Sequence, residues 1–194
     1  MVEVDFKTQL ENMKGLGFTA EPQKVIIKIP DAKENILRGM KYYTGKNPVW
    51  LPEYNEIVDW ATDNKGRGLL VKGNCGLGKT LICGKILPVL INFYCHKVVN
   101  PVNAQKLNTD LDNVLLRHII YIDDIGTEGM SVKYGDKRLA FAELVDEAEK
   151  KGKLLMITTN LNDKELSEKY GERVLDRLHA ITKSILITGK SFRK

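Results

Sequence analysis

The sequence predicts an α/β fold, a five-stranded parallel sheet with helices on both faces, and three observations carry that prediction. Short apolar runs without alternation recur at 68–73, 97–99, 119–122, 154–157 and 184–187, as strands covered on both faces require. Segments of helical spacing, such as 138–150, separate most of them, and strand–helix alternation of this kind gives a parallel sheet. A glycine-bearing run, GNCGLGKT, joins the first of these strands directly to a helix.

Taken in order, residues 1–30 show little periodicity. Gly15, Gly17 and Pro22 interrupt a helix expected near Phe6, so this part reads as an extension. Asp31 is placed to cap the next helix, with Glu34 three residues on as in a capping box, and Ile36, Leu37, Met40 and Tyr43 form one face before Gly45. A second helix is expected over 52–63, where Tyr54, Ile57, Val58 and Ala61 have helical spacing. From Lys79 the pattern is again helical, but Pro88 removes a donor and crowds the preceding turn, so a kink is expected near Gly84 with helix continuing to about Tyr94. The division expected is a partly helical N-terminal extension over 1–48 and one α/β domain over 49–194.

With 194 residues, 43% hydrophobic and 28% charged, the chain is long enough for one well-buried core. No stretch of about eighteen apolar residues appears, and the N-terminus lacks an apolar signal region, so a cytoplasmic protein without a membrane span is expected. Cys75, Cys83 and Cys95 match no disulfide or zinc spacing and are expected as free thiols, while His96, His118 and His179 stand apart from any ligand pattern. A net charge of +5 and pI near 9.0 are compatible with acidic partners and equally with a device for solubility.

The run over 73–80 predicts a phosphate-binding loop. A triphosphate is held with little entropic cost by backbone N–H groups at the start of a helix, and Gly73 and Gly78 let the backbone approach where a Cβ would intrude. The cradle is expected from Gly73, Asn74, Cys75, Gly76, Leu77, Gly78, Lys79, Thr80 and Leu81, with Lys79 on the β- and γ-phosphates of ATP and the Thr80 hydroxyl on Mg²⁺. HIIYIDDIG then offers two acids at a strand end. Asp123 is expected to hold Mg²⁺ and Asp124 to orient or deprotonate the attacking water, a role more often filled by Glu. LLMITTN ends in Asn160, whose amide is expected to bridge that water and the γ-phosphate.

GNCGLGKT, IYIDDIG with Glu128 just beyond, ITTN and YGERVLDRL occur in that order, and the chain closes on GKSFR. From about Gly66 onward this set resembles the AAA+ P-loop ATPases of the bacterial helicase-loader group, the DnaC and DnaI proteins, with the transposition helper IstB. The resemblance implies Lys79 and Thr80 as Walker A, Asp123 and Asp124 as Walker B, Asn160 as sensor 1 and Arg173 as an arginine finger acting on a neighbouring subunit, with Arg177 as the alternative finger. It also implies ATP and Mg²⁺ as ligands, an activity in DNA replication, and either self-assembly or assembly on a replicative helicase. Single-stranded DNA is a further implied partner, though the segment over 100–117 is shorter than loaders carry. No C-terminal lid is expected after the last strand. Other readings stay open beside the loader-like ATPase: a transposition helper, a nucleotide-gated adapter with little hydrolysis, and a small-molecule kinase.

Overall fold

Leu69, Leu70 and Val71 have no exposed surface, because their strand β1 (Gly68–Gly73) runs inside a sheet covered on both sides. Burying side chains of this size contributes about 1.5–3 kcal/mol each. The computed structural model describes residues 4–18, 22–126, 131–133, 136–138 and 140–192. Parallel to β1 lie β2 (Asn100–Asn103), β3 (Ile119–Ile125), β6 (Leu154–Thr159) and β7 (Thr182–Ile187), in the order β2-β3-β6-β1-β7. The expected five-stranded parallel sheet is thus present.

Alternate residues of each central strand feed two cores. On one face Leu69, Val71, Tyr121 and Met156 pack beneath α2 (Ala32–Thr44), α3 (Tyr54–Thr62) and the helical run after β1. On the other, Leu70, Ile120, Ile122 and Ile157 pack beneath α6 (Ala104–Thr109), α7 (Leu111–Val114), α8 (Ala140–Lys151), α9 (Asp163–Tyr170) and α10 (Glu172–Ile181). Of the expected N-terminal extension, α1 (Phe6–Gly15) buries nothing. Ile27, Ile29, Ile36 and Met40, by contrast, are built into the same core as β1.

The run after β1 begins as α4 (Lys79–Leu81), widens into a π-helical turn over Ile82–Ile86 and continues as α5 (Leu87–Cys95). A π-helical turn thus stands where a kink was expected, at Gly84. The wide turn admits Pro88 at the start of α5, and bare Gly84 lets the helix approach the sheet, since a Cβ there would lie 2.6 Å from the Tyr121 ring.

Three local expectations need correction. Asp31 adopts a left-handed conformation (φ 45) and makes no side-chain cap, because an N-cap needs extended backbone to lay its oxygen over the first free N–H groups. The strand expected over 97–99 lies at Asn100–Asn103 instead: His96 ends α5 in a left-handed turn, and the next residues carry the chain to the sheet's rim. There Pro101 is tolerated because β2 is an edge strand. The helix expected from residue 138 starts at Ala140, behind an antiparallel hairpin of β4 (Ser131–Lys133) and β5 (Asp136–Arg138) that the sequence did not announce. Glu128 and Arg193 lie outside the described residues.

Candidate functional site

The phosphate-loop run leaves β1 at the C-terminal end of the sheet and turns back on itself through glycines. Gly73, Gly76 and Gly78 have φ of 144, 79 and 71, a region that side-chain-bearing residues rarely adopt. At Gly73 a Cβ would lie 2.3 Å from the Ile187 carbonyl oxygen, so only glycine fits between β1 and β7. Tyr54, fully buried on α3, donates its hydroxyl to the Leu77 carbonyl at 2.9 Å and fixes the loop's floor. Burial pushes that phenol up to about 12, so it stays a donor across the physiological range.

Lys79 is almost fully buried. Its Nζ donates to the Gly73 carbonyl (2.6 Å), the Asn74 carbonyl (2.8 Å) and Asn160 Oδ1 (2.9 Å). Burial pulls its pKa below the ordinary 10.5, against the opposing pull of Cys75, Asp124 and Asp123. Asn160 stands just past the end of β6, between the loop and β3, and its Nδ2 donates to Asp124 Oδ1 at 2.7 Å. One amide therefore joins the loop lysine to the second acid.

Asp123 is the hub of a separate cluster. Its Oδ1 accepts hydroxyl bonds from Tyr121 (2.6 Å), Thr158 (2.8 Å) and Thr80 (2.9 Å). Burial, and then the bond to Asp123, hold the Tyr121 phenol well above its usual pKa of 10. The two acids belong to β3 itself rather than to a loop beyond it, because a bulge between Ile122 and Ile125 interrupts its pairing with β6. Asp124 sits in that bulge with φ 55, and its N–H donates to Thr158 Oγ1 at 3.1 Å.

Most of these groups line one cavity of about 730 Å³. Lys79, Thr80, Asp123, Asp124, Thr158 and Asn160 line it, together with Met40, Pro48, Val49 and Phe192 and the polar residues Thr44, Lys46 and Asn47. The Phe192 N–H donates to the Gly76 carbonyl at 3.0 Å, which ties the C-terminal segment to the loop. A cavity lined by one buried cation, two acids and the hydroxyls of Thr80 and Thr158, with apolar side chains beside them, suits a polyphosphate joined to a planar base. The donor set also fits Mg²⁺, which takes hard oxygen ligands such as the Thr80 hydroxyl and the Asp123 carboxylate.

Sequence reading brought Lys79, Thr80, Asp123, Asp124 and Asn160 forward, and the structure gathers all five. Arg173 lies apart: it is exposed on α10, does not line the cavity of its own chain and has no ion pair among the described residues. Arg177 is committed elsewhere, to Asp146 and, through Nε, to Glu149 Oε2 at 3.2 Å on α8. Tyr54, Tyr121 and Thr158 were not singled out as site residues. A signal existed for Tyr121, which shares a strand face with Asp123 two residues on.

No family profile matches the sequence, and no curated protein matches it. Solved structures do resemble it. A DnaC helicase loader has a TM-score of 0.60 at 17% identity, over 75% of this chain and 95% of the loader. DnaI has a TM-score of 0.54 at 17% identity, over 84% of this chain and 85% of that one. The AMPPCP-bound DnaA of Aquifex aeolicus has a TM-score of 0.51 at 12% identity, over 77% of this chain and 51% of that one. The chain therefore shares the α/β fold of the DnaC helicase loader and DnaI structures. Among the described residues no helix is long and apolar enough to cross a membrane.

Proposed function

We propose that this chain is an AAA+ ATPase acting in DNA replication, which binds Mg-ATP between the glycine loop and the end of β3 and hydrolyses it while assembled with its own kind or on a replicative helicase. The observation that supports this most is the convergence of Lys79, Asn160 and Asp124 in one hydrogen-bonded chain beside the Thr80–Asp123 pair. Lys79 neutralises the β- and γ-phosphates, and backbone N–H groups of the loop cradle them. Thr80 and Asp123 hold Mg²⁺, which when bound offsets phosphate charge. Asp124 orients the attacking water, and Asn160 positions Asp124 and the terminal phosphate. Arg173, exposed and uncommitted, is the finger offered to a neighbouring subunit's nucleotide, where a guanidinium stabilises charge in phosphoryl transfer.

The test is phosphate release by the purified protein, alone and with single-stranded DNA or a replicative helicase. Turnover that Lys79→Ala abolishes supports the proposal, and equal rates for parent and variant sink it. Asp in the place usually held by Glu favours a second reading, a nucleotide-gated adapter. Thermal stabilisation by Mg-ATP without phosphate release would select it.

A further inference from the structure

A second hollow, of about 770 Å³, lies at the opposite end of the sheet, where β2 and β3 begin. Nothing in the nucleotide chemistry uses it. One wall is the segment 23–26, and the others are residues 97–100, 116–119 and Lys151. Three features set its chemistry.

The first is charge. Lys24, Lys97 and Arg117 line the hollow; among the described residues no carboxylate does, and none of the three has an ion pair. Lys151 joins them but is held by Glu147 at 2.5 Å. The second is apolar exposure: Ile26, Val98 and Leu116 are 45%, 66% and 74% exposed, and together they give the hollow a greasy lining between the cations.

The third is an open backbone edge. Residues 25–29 alternate between more and less buried with a period of two, as extended chain does. One edge of that segment is satisfied. The Ile27 N–H donates to Asn64 Oδ1 (2.8 Å), the Ile27 carbonyl accepts from the Asn64 N–H (3.2 Å), and the Ile29 N–H donates to the Ala61 carbonyl (2.9 Å). By the same alternation the N–H and C=O groups of Lys24 and Ile26 belong to the other edge, where they have no partner among the described residues; farther along that edge the Lys28 carbonyl accepts from Cys95 Sγ (3.6 Å). An extended chain with one paired edge and one free edge is a template for a further strand.

We propose that this hollow docks an extended peptide of a partner protein, with acidic residues alternating with apolar ones. Its backbone pairs with the free edge at residues 24–26, its carboxylates meet Lys24, Lys97 and Arg117, and its apolar side chains cover Ile26, Val98 and Leu116. A nucleic acid fits less well, because no Phe, Tyr or Trp lines the hollow to stack a base. The proposal does not depend on the nucleotide site.

The experiment is fluorescence anisotropy of the full chain with a fluorescein-labelled synthetic peptide of alternating glutamate and valine. The expected result is saturable binding that weakens with added salt, falls about tenfold in Lys97→Glu/Arg117→Glu, and is unchanged in Lys79→Ala. The same peptide N-methylated at alternate amides is expected not to bind, since it cannot extend the edge. Both reversed positions have solvent-accessible side chains, and matching thermal unfolding of parent and variant confirms that folding is intact. Equal binding by the charge-reversed variant overturns the proposal, as does equal binding of the N-methylated peptide. So does a labelled thymidine oligonucleotide that binds through Lys97 and Arg117 where the peptide does not, or self-association of the chain that the double variant abolishes.

Discussion

Asp123 does two jobs that substitution can separate. Its Oδ1 accepts hydroxyl hydrogens from Tyr121, Thr158 and Thr80, and it is the proposed carboxylate for Mg²⁺. Asp123→Ala removes the acceptor. Thr80 is exposed and re-pairs with water, but Tyr121 and Thr158 are 3% and 1% exposed and meet little of it. The two hydroxyls lie 3.4 Å apart, so one donates to the other and a single buried hydroxyl hydrogen is left over. That costs about 1–3 kcal/mol. Asp123→Asn keeps an Oδ1 acceptor with its neutral amide, and the loss should stay below about 1 kcal/mol. Urea unfolding without nucleotide measures both; with a slope of about 1–3 kcal/mol per molar, the alanine variant's midpoint drops by roughly 1 M while the slope holds. Both variants should lose the magnesium-dependent part of stabilisation by ATP, which for a tight site reaches about 2.7 kcal/mol at a hundredfold excess over Kd. Asparagine as damaging as alanine, or alanine without effect, would refute the hydrogen-bond account. Full magnesium-dependent stabilisation of either variant would refute the metal role.

Three further outcomes are expected. Because burial lowers the Lys79 pKa and ATP binding needs the charged ammonium, affinity should decline with rising pH before the ordinary lysine value of 10.5; calorimetric titration across alkaline pH checks this, and a constant affinity up to that value contradicts it. Burial alone would raise the Asp163 pKa, but the two hydrogen bonds and charge of Lys72, with His179 beside it, bring it below 3.8. A lowered carboxylate pKa gives stability that is present above the unfolded value and lost as pH falls through the folded one, so Asp163→Asn should flatten the acid limb of a stability–pH profile. Arg177→Ala should cost about 1–2 kcal/mol in chemical denaturation, after solvent screening, by breaking the α8–α10 bridge, whereas Arg173→Ala should leave stability and ATP binding intact and reduce only turnover in the assembled state.

The phosphate loop was legible because its chemistry is contiguous: eight residues carry the turn, the cation and the hydroxyl, and strand and helix flank them in sequence. The acids at 123 and 124 and the amide at 160 were legible for a related reason, since each ends an apolar run that could only be a buried strand. What stayed hidden depends on contacts across the chain. Tyr54 and Leu77 meet over 23 residues, and Tyr121 and Thr158 over 37, through a strand order that places β6 between β3 and β1. No local pattern encodes that order. The left-handed Asp31 and the late start of β2 were missed for the opposite reason, because a local preference, capping or apolar content, yielded to where the chain had to travel.

The aspartate at 124 and the bulge that holds it are one constraint. A side-chain-bearing residue at φ 55 costs free energy, and aspartate tolerates that region better than glutamate because its short polar arm bonds locally. Here the strain is held from two sides, by the N–H bond to Thr158 and by the carboxylate bond from Asn160. A strained residue held in part by an amide that itself reaches the loop lysine is what a catalytic carboxylate requires, since its position is set before a substrate arrives. This pre-set position weighs against the adapter reading that the shorter arm favours. With the backbone bulged and Asn160 bridging to Lys79, Asp124 already belongs to the network that would meet the terminal phosphate, and glutamate there would trade that bond for reach.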